Sequence, residues 1–120
     1  MSEIRVELAH DFKWEAVVVL LAMDGDGLEA FRSALARAGR KQRRSSLLTH
    51  AGTIHEFAIE GGNAEVELQA GRVIWRLAQA KLAEIVEKLN AMDKTLGACH
   101  QYVDISSPAK ILVLSRDEYQ

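Results

Sequence analysis

The sequence predicts an α+β domain in which two amphipathic helices pack on a mostly antiparallel sheet of about six to eight strands, in the order ββαββββαββ. Two observations predict this class. Apolar and polar residues alternate along several short segments, which is typical of strands with one exposed face. Two longer segments repeat their apolar residues every three or four positions, which is typical of helices that bury one side.

Length and composition predict a single domain over residues 1–120. A chain of 120 residues with 48% hydrophobic and 27% charged residues can bury one core, and no linker-like stretch or internal sequence repeat divides it. Its single cysteine, Cys99, excludes an internal disulfide. The longest apolar run, at 16–23, is too short to span a bilayer. With no apparent signal peptide either, we expect a cytoplasmic protein without a membrane segment.

The first half of the chain predicts two strands and a helix. Residues 4–8 alternate between apolar and charged, whereas 16–23 are continuously apolar and predict a strand buried on both faces. After a glycine-rich turn, Asp26 is the expected N-cap of a helix that begins near Leu28. Gly39 is expected to end that helix.

The middle of the chain predicts further strands. A short strand is expected at 47–49, followed by three alternating segments at 54–60, 64–70 and 72–77. Because the turns between these three segments are too short for a parallel crossover, they predict an antiparallel meander. Trp75 shares a strand face with Val73 and Leu77, which indicates a place in the core.

The last third predicts one helix and two strands. The clearest helix of the chain is expected at 79–92, where five apolar residues form one stripe: Leu82, Ile85, Val86, Leu89 and Met92. Strands are expected at 99–105 and 110–115, with Pro108 breaking the chain between them.

Motifs of common enzyme chemistry are absent from the sequence. No glycine-rich phosphate loop is followed by lysine, and the segment at 25–27 lacks the third glycine of a dinucleotide-binding turn. Asp24 and Asp26 resemble the start of a calcium loop. However, Leu28 stands where the third oxygen ligand belongs, and no glutamate stands at the last ligand position.

The sequence predicts neither a cofactor nor a nucleic-acid partner. A dedicated nucleic-acid module is usually basic, whereas the net charge here is −2. The four histidines form no helical i,i+4 pair of the kind that binds zinc. We expect no metal, although a site built from His55, His100 and Asp104 stays open as an alternative.

Three groups of residues are candidates for binding a partner protein. Acidic residues alternate along two neighbouring strands of the expected meander and predict an acidic patch: Glu56, Glu60, Glu65 and Glu67. One face of the strand at 99–105 carries a polar group that includes a tyrosine, a residue favoured at interfaces: His100, Tyr102 and Asp104. A basic cluster follows the first helix and is a secondary candidate: Arg40, Lys41, Arg43 and Arg44.

Two other functions stay open beside partner binding. A histidine near a carboxylate can act as a general acid or base, so His100 and Asp104 are the candidates for a small enzyme. A homo-oligomeric or regulatory module, such as a homodimer, would associate through a sheet edge or through Phe12 and Trp14. Recognition is favoured over catalysis because no nucleophile or phosphate cradle lies nearby in sequence.

The C-terminal third carries the most distinctive pattern. A His-x-Tyr-Val-Asp strand at 100–104 precedes a short loop and an apolar strand that closes on Ser-x-x-Glu-Tyr at 115–119. Together with Trp75 and the helix at 79–92, this order resembles small bacterial immunity proteins of the polymorphic-toxin class, over roughly residues 72–119. The resemblance implies a cytoplasmic, antitoxin-like protein without chemistry of its own. Such a protein binds one cognate protein toxin and inhibits it by occluding its active site or by holding it in an unproductive state.

Overall fold

The computed structural model describes residues 3–12, 15–41 and 45–118, which form eight strands and two helices in the predicted order. The α+β class is confirmed. The elements are β1 (Ile4–Phe12), β2 (Glu15–Met23), α1 (Gly25–Lys41), β3 (Ser45–His50), β4 (Thr53–Ile59), β5 (Glu65–Gln69), β6 (Arg72–Leu77), α2 (Gln79–Asp93), β7 (Cys99–Asp104) and β8 (Ile111–Arg116).

The strands form two mixed sheets, so the expectation of one mostly antiparallel sheet is wrong in part. Sheet I has the order β1-β2-β8-β7 and sheet II the order β3-β4-β6-β5. Every hairpin of consecutive strands within a sheet is antiparallel, but β2 pairs in parallel with β8, and β4 with β6. The predicted meander is wrong because β5 takes the edge position. The chain passes from β4 to the edge strand β5 and then returns to β6, which lies between them and runs parallel to β4.

The two halves of the chain share one topology, although their sequences show no repeat. The order is β1-β2-α1-β3-β4 in the first half and β5-β6-α2-β7-β8 in the second. Each sheet combines the first hairpin of one half with the second hairpin of the other. In this correspondence β1 is equivalent to β5, and the β3–β4 turn is equivalent to the β7–β8 loop.

One hydrophobic core joins both sheets and both helices. The apolar residues of α1 that recur at helical spacing are buried there: Leu28, Phe31, Leu35 and Ala38. Four of the five residues of the stripe predicted on α2 are buried there as well. Trp75 is also buried, with its ring centroid 5.2 Å from that of Phe31 on α1. Its predicted core position is therefore confirmed. Within the described residues, neither helix is long and apolar enough to cross a membrane.

Helix α1 begins earlier than predicted because Asp24, and not Asp26, caps its N-terminus. The Asp24 carboxylate accepts the backbone N–H of Gly27 at 2.7 Å and the backbone N–H of Glu3 at 2.9 Å. Partial burial opposes ionisation, but these two donors outweigh it and hold the pKa of Asp24 below its ordinary value. The cap thus ties the start of α1 to the start of β1.

Gly39 lies inside α1, which continues to Lys41, so the predicted helix stop is wrong. Gly39 is buried against α2, where a Cβ atom on it would lie 2.8 Å from Leu82. Its carbonyl oxygen accepts a hydrogen bond from the Gln79 side chain at 2.9 Å. The glycine therefore serves the close approach of the two helices rather than a helix end.

The face of sheet I that points away from the main core carries a second apolar cluster. Its four buried members lie on the two central strands: Val18, Leu20, Ala22 and Val113. Phe12 and Tyr102 pack against this cluster from the edge strands. Strand β2 is thus buried on both faces, as its continuous apolar run predicts.

Candidate functional site

The outer face of sheet II, opposite the core, brings together three of the four predicted acidic residues. Glu56 lies on β4, and Glu65 and Glu67 lie on β5. One row across the sheet contains Leu47, Glu56, Ile74 and Glu67, in the strand order β3-β4-β6-β5. Glu60 lies just beyond β4 and is exposed.

This face is not the expected acidic patch, because β6 places arginines between the two acidic strands. Arg72 forms an ion pair with Glu56, and Arg76 forms one with Glu67 at 2.7 Å. The Arg76 guanidinium, through its hydrogen bond, lowers the pKa of Glu67. A meander would have placed β4 directly beside β5. The observed order instead gives a face of alternating charge.

The same face exposes apolar side chains between the ion pairs. Leu47 on β3 is 57% exposed, and in the described part of the chain only Leu96 is a more exposed large hydrophobic residue. Ile74 lies in the same row, between Glu56 and Glu67, and is half-buried. Apolar side chains therefore alternate with charges of both signs on this face, which is a combination found at protein–protein interfaces.

His100 and Tyr102 lie on the outer face of sheet I, with their ring centroids 5.2 Å apart. The carboxylate beside His100 is Glu118, whose Oε2 lies 3.0 Å from the imidazole Nδ1. The second oxygen of Glu118 accepts a hydrogen bond from the Ser115 hydroxyl at 3.0 Å. Glu118 therefore connects His100 on β7 with Ser115 on β8. The Ser-x-x-Glu spacing was the sequence signal for it.

The geometry of this cluster differs from that of a nucleophile and its base. Ser115 and His100 each contact Glu118, whereas an activated serine would contact the histidine. Ser115 is also fully buried. Asp104 is exposed at the far end of β7, about 13 Å from His100 by strand geometry. The cluster holds the residues after β8 against β7.

The basic group lies on a third surface, and only part of it is described. Arg40 lines a groove of about 430 Å³ between α1 and α2, beside Leu82 and Val86 of α2. Lys41 is the last residue of α1, and its side chain is not described. Arg43 and Arg44 lie outside the described residues, as does Trp14.

His55 was proposed as a metal ligand, and the structure places it in the core instead. It is 1% exposed on the inner face of sheet II, and its Nδ1 accepts a hydrogen bond from the Trp75 indole at 3.3 Å. Burial, together with the nearby charge of His50, lowers the pKa of His55 to about 4. His100 lies on the outer face of the other sheet. Among the described residues, no cluster of three or more His, Cys, Asp or Glu side chains is placed to hold a metal ion.

Comparisons with protein-family models, with curated proteins and with solved structures find no match for this chain. The described members of the three predicted groups lie on different parts of the molecular surface: the outer face of sheet II, the outer face of sheet I and the C-terminal end of α1. The outer face of sheet II carries three of the predicted residues, as many as the outer face of sheet I. It also carries Leu47, which the sequence analysis did not single out.

Proposed function

We propose that the protein is a stoichiometric inhibitor of another protein, an immunity protein that binds a cognate bacterial toxin in the cytoplasm and occludes it. The toxin contacts the outer face of sheet II. The observation that carries this proposal is the exposure of Leu47, 57%, in a row that also holds two ion-paired glutamates. The immunity-type pattern over residues 72–119 supplies the class of partner.

The physical argument for this surface concerns both affinity and orientation. An apolar side chain that stays exposed on a rigid sheet gains free energy when a partner removes it from water, by about 25 cal/mol for each Å² buried. Interfaces take most of their affinity from a few such anchors and use charged rims to set orientation and association rate. Leu47 is the anchor in this proposal, and the pairs Glu56–Arg72 and Glu67–Arg76 form the rim.

The alternating charge also limits the mechanism of inhibition. An inhibitor that imitates a nucleic-acid phosphate backbone needs unpaired carboxylates, because its negative charges must meet the basic residues of a nuclease. Here Glu56 and Glu67 are already paired with arginines. We therefore propose occlusion by a surface of mixed charge, and not phosphate mimicry, as the mode of inhibition.

Two exposed leucines of the chain provide a matched test. The chain is co-expressed with candidate toxins encoded beside it, and cell survival and co-purification are measured for the wild type, Leu47→Glu and Leu96→Glu. Leu96 is 96% exposed in the segment after α2, so its substitution introduces the same charge away from sheet II. We expect Leu47→Glu to lose toxin binding and protection, and Leu96→Glu to keep both.

Two outcomes contradict the proposal. If no candidate toxin is suppressed by the wild-type chain, the inhibitor function is wrong. If Leu47→Glu protects as well as Leu96→Glu while a toxin is suppressed, the function stands and the assignment to the outer face of sheet II is wrong. Far-UV circular dichroism of both variants establishes that each remains folded.

A further inference from the structure

Strand β1 leaves one long edge of sheet I unpaired. It has nine residues and hydrogen-bonds only with β2 among the described strands. An edge strand presents backbone N–H and C=O groups that can pair with another strand, and natural proteins usually shield such edges. The side chains at Ile4, Val6 and Leu8 pack against the core and are only partly buried.

The register determines which backbone groups of β1 face outward. The carbonyl of Glu3 accepts the N–H of Asp24 at the end of the β1–β2 pair, so Glu3 faces β2. Hydrogen-bonded residues alternate along an antiparallel strand. Arg5 and Glu7 therefore also bond to β2, whereas the N–H and C=O groups of Ile4, Val6 and Leu8 point to the free edge.

The equivalent edge in the other half of the chain is shielded. The N-terminal part of β5 is covered by the β7–β8 loop, because Val66 donates to the Ser107 carbonyl at 2.9 Å and Ser106 donates to the Ala64 carbonyl at 2.8 Å. That loop spans 105–110, whereas its counterpart between β3 and β4 is the two-residue turn at 51–52. Among the described residues, no backbone hydrogen bond joins this shorter turn to β1. The edge strand β7 is shielded in a different way, since the ammonium of Lys88 binds the Tyr102 carbonyl.

We propose that β1 pairs antiparallel with β1 of a second copy, so that the two copies of sheet I form one continuous sheet across a two-fold axis at Val6. The residues at 4–8 read Ile-Arg-Val-Glu-Leu, a pattern that is complementary to itself when reversed. Val6 faces Val6 of the second copy, and Ile4 faces its Leu8. Arg5, which pairs with Glu7 of its own chain at 3.1 Å, also faces Glu7 of the second copy, so opposite charges meet on both sides of the axis.

The hydrogen-bonding pattern agrees with this register. A two-fold axis at Val6 makes the central pair a hydrogen-bonded one, in which each Val6 N–H donates to the other Val6 carbonyl. The flanking pairs of Ile4 with Leu8 use outward-facing groups as well. A pocket of about 440 Å³ separates Leu8 from β5 and Pro108, so none of the described strands other than β2 pairs with this part of β1. A register shifted by one residue would bring inward-bonded groups to the axis and lose these bonds.

Charge reversal tests the pairing directly. Sedimentation velocity is measured from micromolar to millimolar concentration for the wild type, Arg5→Glu, Glu7→Arg, the double variant and an equimolar mixture of the two single variants. Each single variant places like charges opposite one another at two symmetric positions, and we expect its dimer dissociation constant to rise about tenfold. The double variant restores the opposite charges. The mixture also restores them, so it should form a heterodimer.

A proline substitution provides a second test that does not depend on charge. Val6→Pro removes an N–H that faces away from β2, so the β1–β2 pairing stays intact, as prolines on edge strands allow. We expect this variant to be folded by circular dichroism and monomeric at concentrations where the wild type is dimeric. A wild-type chain that stays monomeric at millimolar concentration overturns the proposal. So does a dimer that Val6→Pro and both charge reversals leave unchanged.

The experiment also separates this proposal from the proposed function. The β1 edge belongs to sheet I, whereas the proposed toxin surface belongs to sheet II. Variants that abolish the dimer should therefore keep toxin binding, and Leu47→Glu should keep the dimer. If the wild type is monomeric and Val6→Pro instead abolishes toxin binding, the edge receives a strand of the toxin, and pairing with a second copy is wrong.

Discussion

The Trp75 indole donates a hydrogen bond to Nδ1 of His55 across the parallel pair β4–β6, at 3.3 Å. The contact lies inside the main core, where Phe31 of α1 meets both rings edge-on. It requires a neutral imidazole, because only an unprotonated Nδ1 can accept a hydrogen bond. The sheet order β3-β4-β6-β5 therefore places a titratable group at the centre of the molecule.

The stability of the fold should fall as pH decreases below about 6.5. The pKa of His55 is lowered from 6.5 to about 4 by burial, so between these values the unfolded chain binds a proton that the folded chain excludes. This difference in proton binding lowers the unfolding free energy by about 3 kcal/mol between pH 6.5 and pH 4. Urea unfolding between pH 7.5 and 4 measures it. We expect His55→Gln to flatten the pH dependence, since an amide oxygen can accept the Trp75 hydrogen bond without titrating.

The control for that experiment is His10→Gln, which removes an exposed histidine from β1. It should keep the wild-type slope of unfolding free energy against pH. If His55→Gln and the wild type lose stability in parallel between pH 6.5 and 5, the buried imidazole is not the group responsible.

Gly27→Ala should destabilise the chain strongly, because α1 and β1 meet at this position without space for a side chain. A Cβ atom on Gly27 would lie 1.8 Å from the carbonyl oxygen of Glu3, which is backbone and cannot turn away. We expect a loss of about 3 kcal/mol in the unfolding free energy, at the upper end of overpacking effects. The matched control is Gly25→Ala, where no atom lies within 4 Å of the new Cβ. That variant should be as stable as the wild type or more stable, and equal losses in both would contradict this reading of the junction.

Arg116→Met should weaken the C-terminal end of α2. The guanidinium of Arg116 donates to the carbonyl oxygen of Met92 at 2.8 Å and also binds the carbonyls of Thr95 and Gly97. Hydrogen bonds from a charged donor contribute about 1.5–3 kcal/mol, and their loss removes this donor from all three carbonyls, of which only that of Met92 is known to keep a backbone donor, the N–H of Thr95 at 3.0 Å. We expect a loss of about 3 kcal/mol and faster amide exchange in the residues after Met92.

Arg116→Lys distinguishes the geometry of this cap from its charge. A lysine ammonium is a point donor and cannot reproduce the planar fork of guanidinium, so we expect only partial recovery of stability. The exposed substitution Arg37→Met, made in α1, controls for the loss of one positive charge. Full recovery by lysine would show that charge alone stabilises the helix end.

Local periodicity predicted the elements well because it reports which face of a segment is apolar. The strand at 72–77 and the start of α2 at residue 79 agree with the structure to the residue. Periodicity does not report which strand lies beside another, and this is where the sequence reasoning failed. Glu56 and Glu67 do share the outer face of sheet II, but the acidic patch expected there is wrong. The interposed Arg72 and Arg76 followed only from the position of β6 between β4 and β5.

Contacts between distant segments were likewise beyond reach from the sequence. Asp24, and not Asp26, is the N-cap of α1. Its carboxylate also accepts a hydrogen bond from the backbone N–H of Glu3, which lies 21 residues away along the chain. The carboxylate that contacts His100 belongs to Glu118 and not to Asp104. The antiparallel pairing of β7 with β8 is the reason, because it places His100 opposite Ser115, three residues before Glu118.

Glu118→Gln tests whether the Ser-x-x-Glu pattern stabilises the scaffold or contacts the partner. The Glu118 carboxylate accepts a hydrogen bond from the Ser115 hydroxyl on β8 and contacts the His100 imidazole on β7, each at 3.0 Å. An amide keeps the shape but weakens both hydrogen bonds, so we expect a loss of about 1–2 kcal/mol in unfolding free energy. Toxin protection should be unchanged at a temperature where the variant is folded. Lost protection by a variant with wild-type stability would instead place this cluster in the interface, and the outer face of sheet I would replace that of sheet II as the binding surface.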